Sequence, residues 1–537
     1  MHALKLHRWR RVSTPLASFL LVSVACISPQ RAPGVVVYAS GTDLESGNPL
    51  VTVHSLSRQI QRYALFVTLA KYDSTLAPAP YAARAWEWSA DRRTLAFHLV
   101  PELRWHDGVP TTASDVAFTI DAARDPATGY WRATDLAAID TVIARDDSTV
   151  AIMFHSPQPT FPLVLCELPI LPAHLLGRVP RNEMKRAPFN LAPVGNGPFV
   201  FVERRAGARW AFRRNDRFPA ALGGPPRLAG FVVSVVDEPT TKFAGLASGD
   251  LDVAGIGPTM APLAQRDPTL RVIDYPTLFT TGLVFNVHKA PFDDPRVRRA
   301  ISSSIDRQRI VRAALAGYGT PAAGPVPPES PLALQAVASR DTLLADSLFD
   351  AAGWKRGADG MRRRNGREFA FDLLTVGSGD NALEQLVQAD LASRGVRASI
   401  RQVELGTFLT AARASQKQFD VLVAGVPGDV ALAFLGAMFE SRQRGGVLDY
   451  AGFHTPRLDS LFASARSATT DSARADAWRN VQRLLRDEMP VAWVYHSRGL
   501  QGVSARLHNV VMDLRGEMAT LVQWQLDAQN VPTVARR

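Results

Sequence analysis

The stretch from Leu283 to Pro328, LVFNVHKAPFDDPRVRRAISSSIDRQRIVRAALAGYGTPAAGPVPP, does most to restrict what this chain can become. It opens as a strand and closes as a loop rich in proline and glycine. Between them, Asp294 before Pro295 marks a helix start: the carboxylate accepts from N–H groups that have no partner in the first turn, and proline's fixed φ suits the first helical position. Val297, Ala300, Ile301 and Ile305 then fall on one helical face. Asp306 caps a second helix, whose Ile310, Val311, Ala314 and Leu315 are spaced for burial and whose end is marked by Gly317 and Gly319. One strand followed by two short helices is an α/β unit. Arg296, Arg298 and Arg299 read as a solvated face rather than an anion site.

At 537 residues the chain is too long for one core, and units of about 150 residues predict three or four. A 46% hydrophobic and 21% charged composition is that of a globular chain, neither disordered nor membrane-embedded. The net charge of +11 comes from scattered arginines, without a basic stripe interleaved with aromatics, which argues against nucleic acid as a partner. Lys5, His7, Arg8, Arg10 and Arg11 precede an apolar run, Pro15 to Ala25, that ends in small residues. That is the pattern of a secretory signal, residues 1–25, and the run falls short of the roughly 20 residues a membrane span needs. Ser23-Val24-Ala25-Cys26 resembles a lipobox, with Cys26 the lipidated residue; ordinary cleavage after Ala25 is the alternative. Cys26 and Cys166 are the only cysteines, so a lipidated Cys26 leaves no intramolecular disulfide. Cys166, inside PLVLCELPIL, reads as a buried small hydrophobe with nothing basic flanking it.

Along the rest of the chain, Val35–Tyr38 is a short strand running into the loop Ser40–Pro49. Ala83–Gly108 alternates apolar and polar residues about the Asp91-Arg92-Arg93 turn, as an antiparallel hairpin does, and Thr112–Asp115 opens a helix. Asn365-Gly366 predicts a second hairpin, between Met361–Arg364 and Glu368–Leu373. A helix over Ala382–Arg394, a strand over Arg397–Val403, a helix to Ser415 and a strand over Phe419–Val423 make a further α/β lobe. There is no G-x-x-x-x-G-K-[ST], H-E-x-x-H, C-x-x-C or G-x-S-x-G, and the eleven histidines lack ligand spacing. No catalytic residue, metal site or cofactor is expected. A two-carboxylate hydrolase stays open, because such pairs are assembled only in space.

Several segments together resemble the extracellular solute-binding proteins of family 5, the peptide and nickel receptors of ABC importers. In the central stretch Asn286, Pro291, Asp293, Val297, Arg298, Ala300 and Asp306 match the family pattern. In the first hairpin Trp86, Asp91, Phe97, Leu99, Asp107, Gly108, Thr112, Ala113, Asp115 and Val116 match, while Val100 and Trp105 replace the usual Arg and Phe. Leu171–Leu176, Pro193–Phe199, Ser248–Val253 and Phe349–Trp354 add to the likeness, which runs from Val35 to about Val510.

The resemblance implies a two-lobed periplasmic binding protein fold of the class II/cluster C type, with an extra N-terminal subdomain. Lobe I is then 26–60 plus 190–277 plus 495–537, the accessory subdomain 61–189, and the ligand-closing lobe III 278–494. The hinge crossings fall near Tyr275–Thr281 and Trp493–Ser497. It implies a monomeric receptor, exported and lipid-anchored, that captures a peptide and delivers it to a permease driven by ATPase subunits. Nickel chelates, sugars or haem are the alternative ligands; a secreted hydrolase or a sensory lipoprotein are the alternative classes. Gly425-Val426-Pro427-Gly428-Asp429 resembles the family's G-W-x-x-D segment, in which the aspartate pairs with a peptide's free amino group. Asp429 is therefore the expected anchor, with Gly425, Val426 and Gly428 beside it, with Glu45 from the Ser40–Pro49 loop at the cleft edge and with Asn196 from the Pro193–Phe199 turn. The other reading of Asp429 is a cap for a helix starting near Ala431.

Overall fold

The strand that opens the central stretch is far longer than its apolar run. It spans Leu270–Phe285 and pairs antiparallel with Val491–Ser504, from Leu270↔Ser504 at one end to Val284↔Val491 at the other. The chain is seen here as a computed structural model that describes residues 32–336, 339–376, 381–446 and 448–527. The expected signal segment and Cys26 lie outside the described residues.

The paired strands run through the middle of an eleven-stranded mixed sheet. In chain order its strands are β1 (Val35–Ser40), β2 (Phe199–Arg205), β3 (Arg209–Arg214), β4 (Gly230–Val235), β5 (Val253–Gly255), β6 (Leu270–Phe285), β7 (Gly319–Pro321), β8 (Ala370–Val376), β9 (Arg397–Val403), β10 (Val421–Pro427) and β11 (Val491–Ser504). They lie in the order β9-β8-β10-β6-β11-β5-β1-β4-β3-β2, with β7 on β11. Each long strand serves two halves. β11 joins β5 through Gln501–Val503 at one end, while β6 joins β10 through Phe279–Phe285 at the other. The ladder between β6 and β11 slips in register between Pro276 and Thr280 and again between Thr281 and Gly282. Such bulges bend and twist a ribbon locally.

Burial on both faces explains the apolar runs of the later half. Leu283, Phe285, Leu373, Val421 and Val423 enter one core, with Val297, Ile301 and Ile310 of the two helices packed over it. Their neighbours Val284, Leu374, Leu422 and Ala424 enter a second core on the opposite face, under Trp478, Val481 and Leu485. The period of two along each strand assigns every residue to one side or the other.

The helix starts follow the local chemistry. Asp294 accepts from the Arg296 N–H at 2.9 Å ahead of Pro295–Ser304, and Asp306 from the Arg309 N–H at 2.8 Å ahead of Arg307–Ala314. Arg298 corrects the expectation of a solvated face. Only Arg296 and Arg299 are exposed; Arg298 is buried and donates to the carbonyls of Phe292 at 2.7 Å, Glu488 and Met489 at 3.1 Å. It thereby satisfies carbonyls left over at the end of the helix Asp471–Glu488. The hairpin turn Asn365-Gly366 has φ of 53° and 77°, but its strands are short, Arg362–Arg364 on Arg367–Glu368. From Ala370 on, the chain is taken by β8, where Phe371 and Leu373 complete a core.

Between β1 and β2 lies a separate four-stranded antiparallel sheet, in the order Ala83–Trp88, Thr94–Leu99, Thr149–Phe154, Ile139–Ala144. The helix Ala113–Arg124 packs on it and begins with a reciprocal Thr112–Asp115 capping box. Asp115 also accepts from the Trp105 indole at 3.2 Å, so the tryptophan that replaces the family's usual Phe at 105 is tied into the cap.

Candidate functional site

The loop after β10 is built to turn one carboxylate inward. Along β10 the side chains alternate: Val426 is buried in a core, whereas Gly425 and Pro427 lie on the exposed face. A Cβ on Gly425 would stand 2.4 Å from the Phe279 ring, so glycine is what lets that ring lie across the strand. The Gly428 N–H donates to the Leu278 carbonyl at 2.6 Å and draws the loop back against β6. Asp429 follows, 5% exposed; Oδ1 accepts from the Ala433 N–H at 3.0 Å and Oδ2 from the Phe434 N–H at 2.9 Å. Both donors belong to the first turn of the helix Ala433–Phe439. Each oxygen is left with further acceptor capacity. Burial pushes the Asp429 carboxyl above the ordinary carboxylate range; Arg132 opposes the shift and Glu167 adds to it.

Those two charges come from the accessory subdomain, nearly 300 residues earlier. Next to Asp429, Val430 packs against a small cluster made by Ala70, Tyr72 and Cys166. The buried Arg132 donates from Nε to Asp135 at 2.6 Å and from Nη1 to Glu167 at 2.5 Å. Glu167 also accepts from the Tyr72 hydroxyl at 2.9 Å and lies 3.8 Å from Arg62 Nη1. Burial alone raises the Glu167 carboxyl, but Arg132 and Arg62 outweigh it and hold it below its usual value. Arg62 Nη2 and the Tyr63 hydroxyl both donate to the Arg515 carbonyl, at 2.8 and 2.9 Å. Trp131, 41% exposed, has the Arg58 guanidinium 4.8 Å and the Arg132 guanidinium 5.5 Å from its ring centroid. A buried acid in the Asp429 loop thus lies within the field of an arginine-rich cluster that carries aromatic surface.

The remaining expected residues are placed elsewhere in the loops. Glu45 Oε2 accepts from the Thr52 hydroxyl and from the Val53 and His54 N–H groups at 3.2 Å, closing its own loop. Asn196 is fully buried; its Oδ1 accepts from the Val67 N–H at 3.0 Å, and its Nδ2 donates to the Thr111 hydroxyl at 3.4 Å. Glu45 Oε2 and the buried Asn196 amide hold their loops, while Glu45 itself is exposed. Cys166 is buried as expected and its thiol is pushed up by burial. The expectation that nothing basic is near it holds along the chain but not in space, where Arg62 and Arg132 act on it. Arg58, Arg62, Trp131, Arg132 and Glu167 went unnoticed in the sequence. The available signal was Glu167 itself, a charge inside an otherwise apolar run.

Among the described residues no group of three or more His, Cys, Asp or Glu side chains is placed to hold a metal ion, and no helix is long and apolar enough to cross a membrane.

The profile of the bacterial extracellular solute-binding proteins, family 5 Middle, matches residues 77–445, well over half of the chain. The chain belongs to that family. It is 30% identical to Protein XP55 of Streptomyces lividans over 83% of this chain and 81% of the relative. It is 24% identical to the dipeptide-binding protein of Escherichia coli K12 over 94% of this chain and 98% of the relative. Among solved structures it is similar to NikZ from Campylobacter jejuni in complex with Ni(L-His), at a TM-score of 0.79 and 21% identity, over 92% of this chain and all of that one. The fold is thus the two-lobed solute-binding fold of family 5, with the β6–β11 ribbon shared by its two halves.

Proposed function

We propose that the chain is the receptor of an ABC importer, that its ligand is a short peptide, and that the peptide's free ammonium group is held by Asp429. The observation that carries this reading is the buried Asp429 carboxylate, whose proton affinity is raised by burial although a guanidinium stands nearby. A charge held in that state is stabilised by a cation that arrives with the ligand. The whole-length likeness to a protein named as dipeptide-binding supports peptide as the ligand class.

Capture then follows from the layout of the halves. Only the β6–β11 ribbon is continuous through both halves of the central sheet, and its register slips make the segment Tyr275–Thr281, with Trp493–Ser497 opposite, the natural hinge. Val430 packs on the Tyr72 cluster, which is the closed arrangement of this loop; opening at the hinge admits the ligand, and closing again excludes water and strengthens every charge contact within. The closed monomer docks on a permease in trans, driven by ATPase subunits, and Cys26 carries the lipid that keeps the exported protein at the membrane surface.

The reading is tested by native mass spectrometry of the purified protein after incubation with a mixture of free-amine peptides. One retained peptide per chain is the expected result. Retention of a metal chelate or haem, with no peptide adduct, overturns it.

A further inference from the structure

Arg58, from the helix Ser55–Ile60 that leads into the accessory subdomain, stands beside Trp131 without a hydrogen-bonded partner of opposite charge among the described residues. Arg132 is committed to Asp135 and Glu167, and Arg62 leans on Glu167 and the Arg515 carbonyl. The Arg58 guanidinium makes no hydrogen bond and no ion pair with any described residue, and its Nε is shielded from solvent. What it does have is the Trp131 ring, 4.8 Å from its centre. The Nε of Arg62 is likewise shielded and without an acceptor. Glu167 is the carboxylate whose field reaches Arg58, and that carboxylate is already shared by Arg132, Tyr72 and Arg62; Arg62 and Arg132 both act against the Arg58 charge.

Arg58 is half-buried, with Nε shielded and its terminal nitrogens left without an acceptor among the described residues, and a contact with one aromatic face offsets only part of the cost of drawing the cation out of water. A guanidinium lying on a ring keeps its N–H edge free, in the fork geometry that fits a carboxylate through two parallel hydrogen bonds. Around Trp131 and Glu167 three guanidinium groups, Arg58, Arg62 and Arg132, stand against two carboxylates, Asp135 and Glu167, which favours an anionic group over a neutral one. Arg132 links this cluster to the Asp429 loop, because it stands near Arg58 through Trp131 and also within the field of Asp429.

We propose that Arg58, with Nε of Arg62 beside it, forms a subsite for a carboxylate of the ligand, across from the Asp429 loop. The proposal rests on the reading of that space as the ligand cleft. It narrows the ligand class to solutes with a cationic and an anionic end: a short peptide with a free C-terminus, or one with an acidic side chain at the same distance from its amino group. Both sources offer the same carboxylate.

The test is isothermal titration of the full chain and of Arg58→Met, which keeps an apolar stem on Trp131 but removes the charge. The ligands are Ala-Ala-Ala, Ala-Glu-Ala-amide and Ala-Gln-Ala-amide. Arg58→Met should weaken binding of at least one carboxylate peptide tenfold or more and leave Ala-Gln-Ala-amide within twofold. Which carboxylate peptide responds tells a C-terminus from a side chain. Arg58→Lys should fall between, since it keeps charge but loses the fork. The ligand-free melting temperature of Arg58→Met should stay close to that of the unaltered protein, because the half-buried guanidinium makes no hydrogen bond or ion pair with a described residue that the substitution would break. Equal affinities of Arg58→Met and the unaltered protein for all three peptides overturn the subsite while leaving the cleft reading intact. A lowered ligand-free melting temperature with the same loss for all three overturns it too, as a purely structural role. If the unaltered protein binds none of them, the cleft reading itself fails and the subsite with it.

Discussion

Replacing Asp429 with Asn separates two roles that the structure superimposes on one side chain. Its carboxylate accepts from two N–H groups of the helix Ala433–Phe439, and asparagine keeps one acceptor oxygen. The N–H left without an acceptor costs about 1–3 kcal/mol of stability. The ligand contact is worth more. Removing one member of a buried ion pair costs about 3–5 kcal/mol, which is roughly 150- to 5,000-fold in Kd. Isothermal titration of Asp429→Asn with a free-amine peptide should show that loss, while the N-acetylated twin, already bound weakly, changes little. The pH dependence has a definite sign. Because burial raises the Asp429 carboxyl, it takes up its proton above the ordinary carboxylate range, so affinity for the free-amine peptide falls on acidification earlier than an exposed aspartate would allow. Ligand-free stability runs the other way: the site stabilises the fold below the ordinary carboxylate value, and that contribution is lost as pH rises through the raised one. Asp429→Asn should flatten both dependences. Equal losses for the free and acetylated peptides, or a lowered melting temperature with unchanged affinity, refute the anchor role and leave only the helix cap.

Arg298→Met strips a donor from the Phe292, Glu488 and Met489 carbonyls, which should lower stability in urea denaturation by about 3 kcal/mol or more; a change under about 1 kcal/mol refutes the account of that buried arginine. His106 and His496 are both pushed down to about 4 by burial, with the Gly197 carbonyl opposing at His106. The unfolded chain therefore binds protons first, and stability should drain away as pH falls from about 6.5 towards 4; the double variant His106→Gln, His496→Gln should lose most of that slope, and an unchanged slope contradicts it. Cys26→Ser should move the protein from the membrane fraction to the soluble one; identical fractionation of both forms rules out the lipid anchor.

Local features were legible in the sequence because their chemistry is local. Asp294, Asp306 and the Thr112–Asp115 pair start helices wherever the chain places them, and Asn365-Gly366 makes the same turn in isolation as in the fold. The length of β6 was not legible. Its greater part, Leu270–Thr281, lacks an apolar run, and pairing with β11, more than 200 residues away, is what makes it a strand. Arg298 reads as exposed in a run of arginines until the end of the helix Asp471–Glu488 is brought over it. The site divides in the same way. The Asp429 loop is a pattern of adjacent residues, whereas Arg58, Trp131, Arg132 and Glu167 are drawn from three separate stretches, and no spacing announces them. Glu45 and Asn196 show what a local pattern leaves out: Glu45 Oε2 and the Asn196 amide hold their own neighbourhoods together, partners that no adjacent residues announce.

The central claim is that two halves joined by a bulged ribbon close over a solute at the Asp429 loop. Small-angle X-ray scattering with and without a saturating free-amine peptide tests it most directly. The account predicts a smaller radius of gyration with peptide, circular dichroism unchanged, and a weaker or absent response in Asp429→Asn at the same peptide concentration. Superimposable scattering curves for the unaltered protein with peptide demonstrably bound would contradict it.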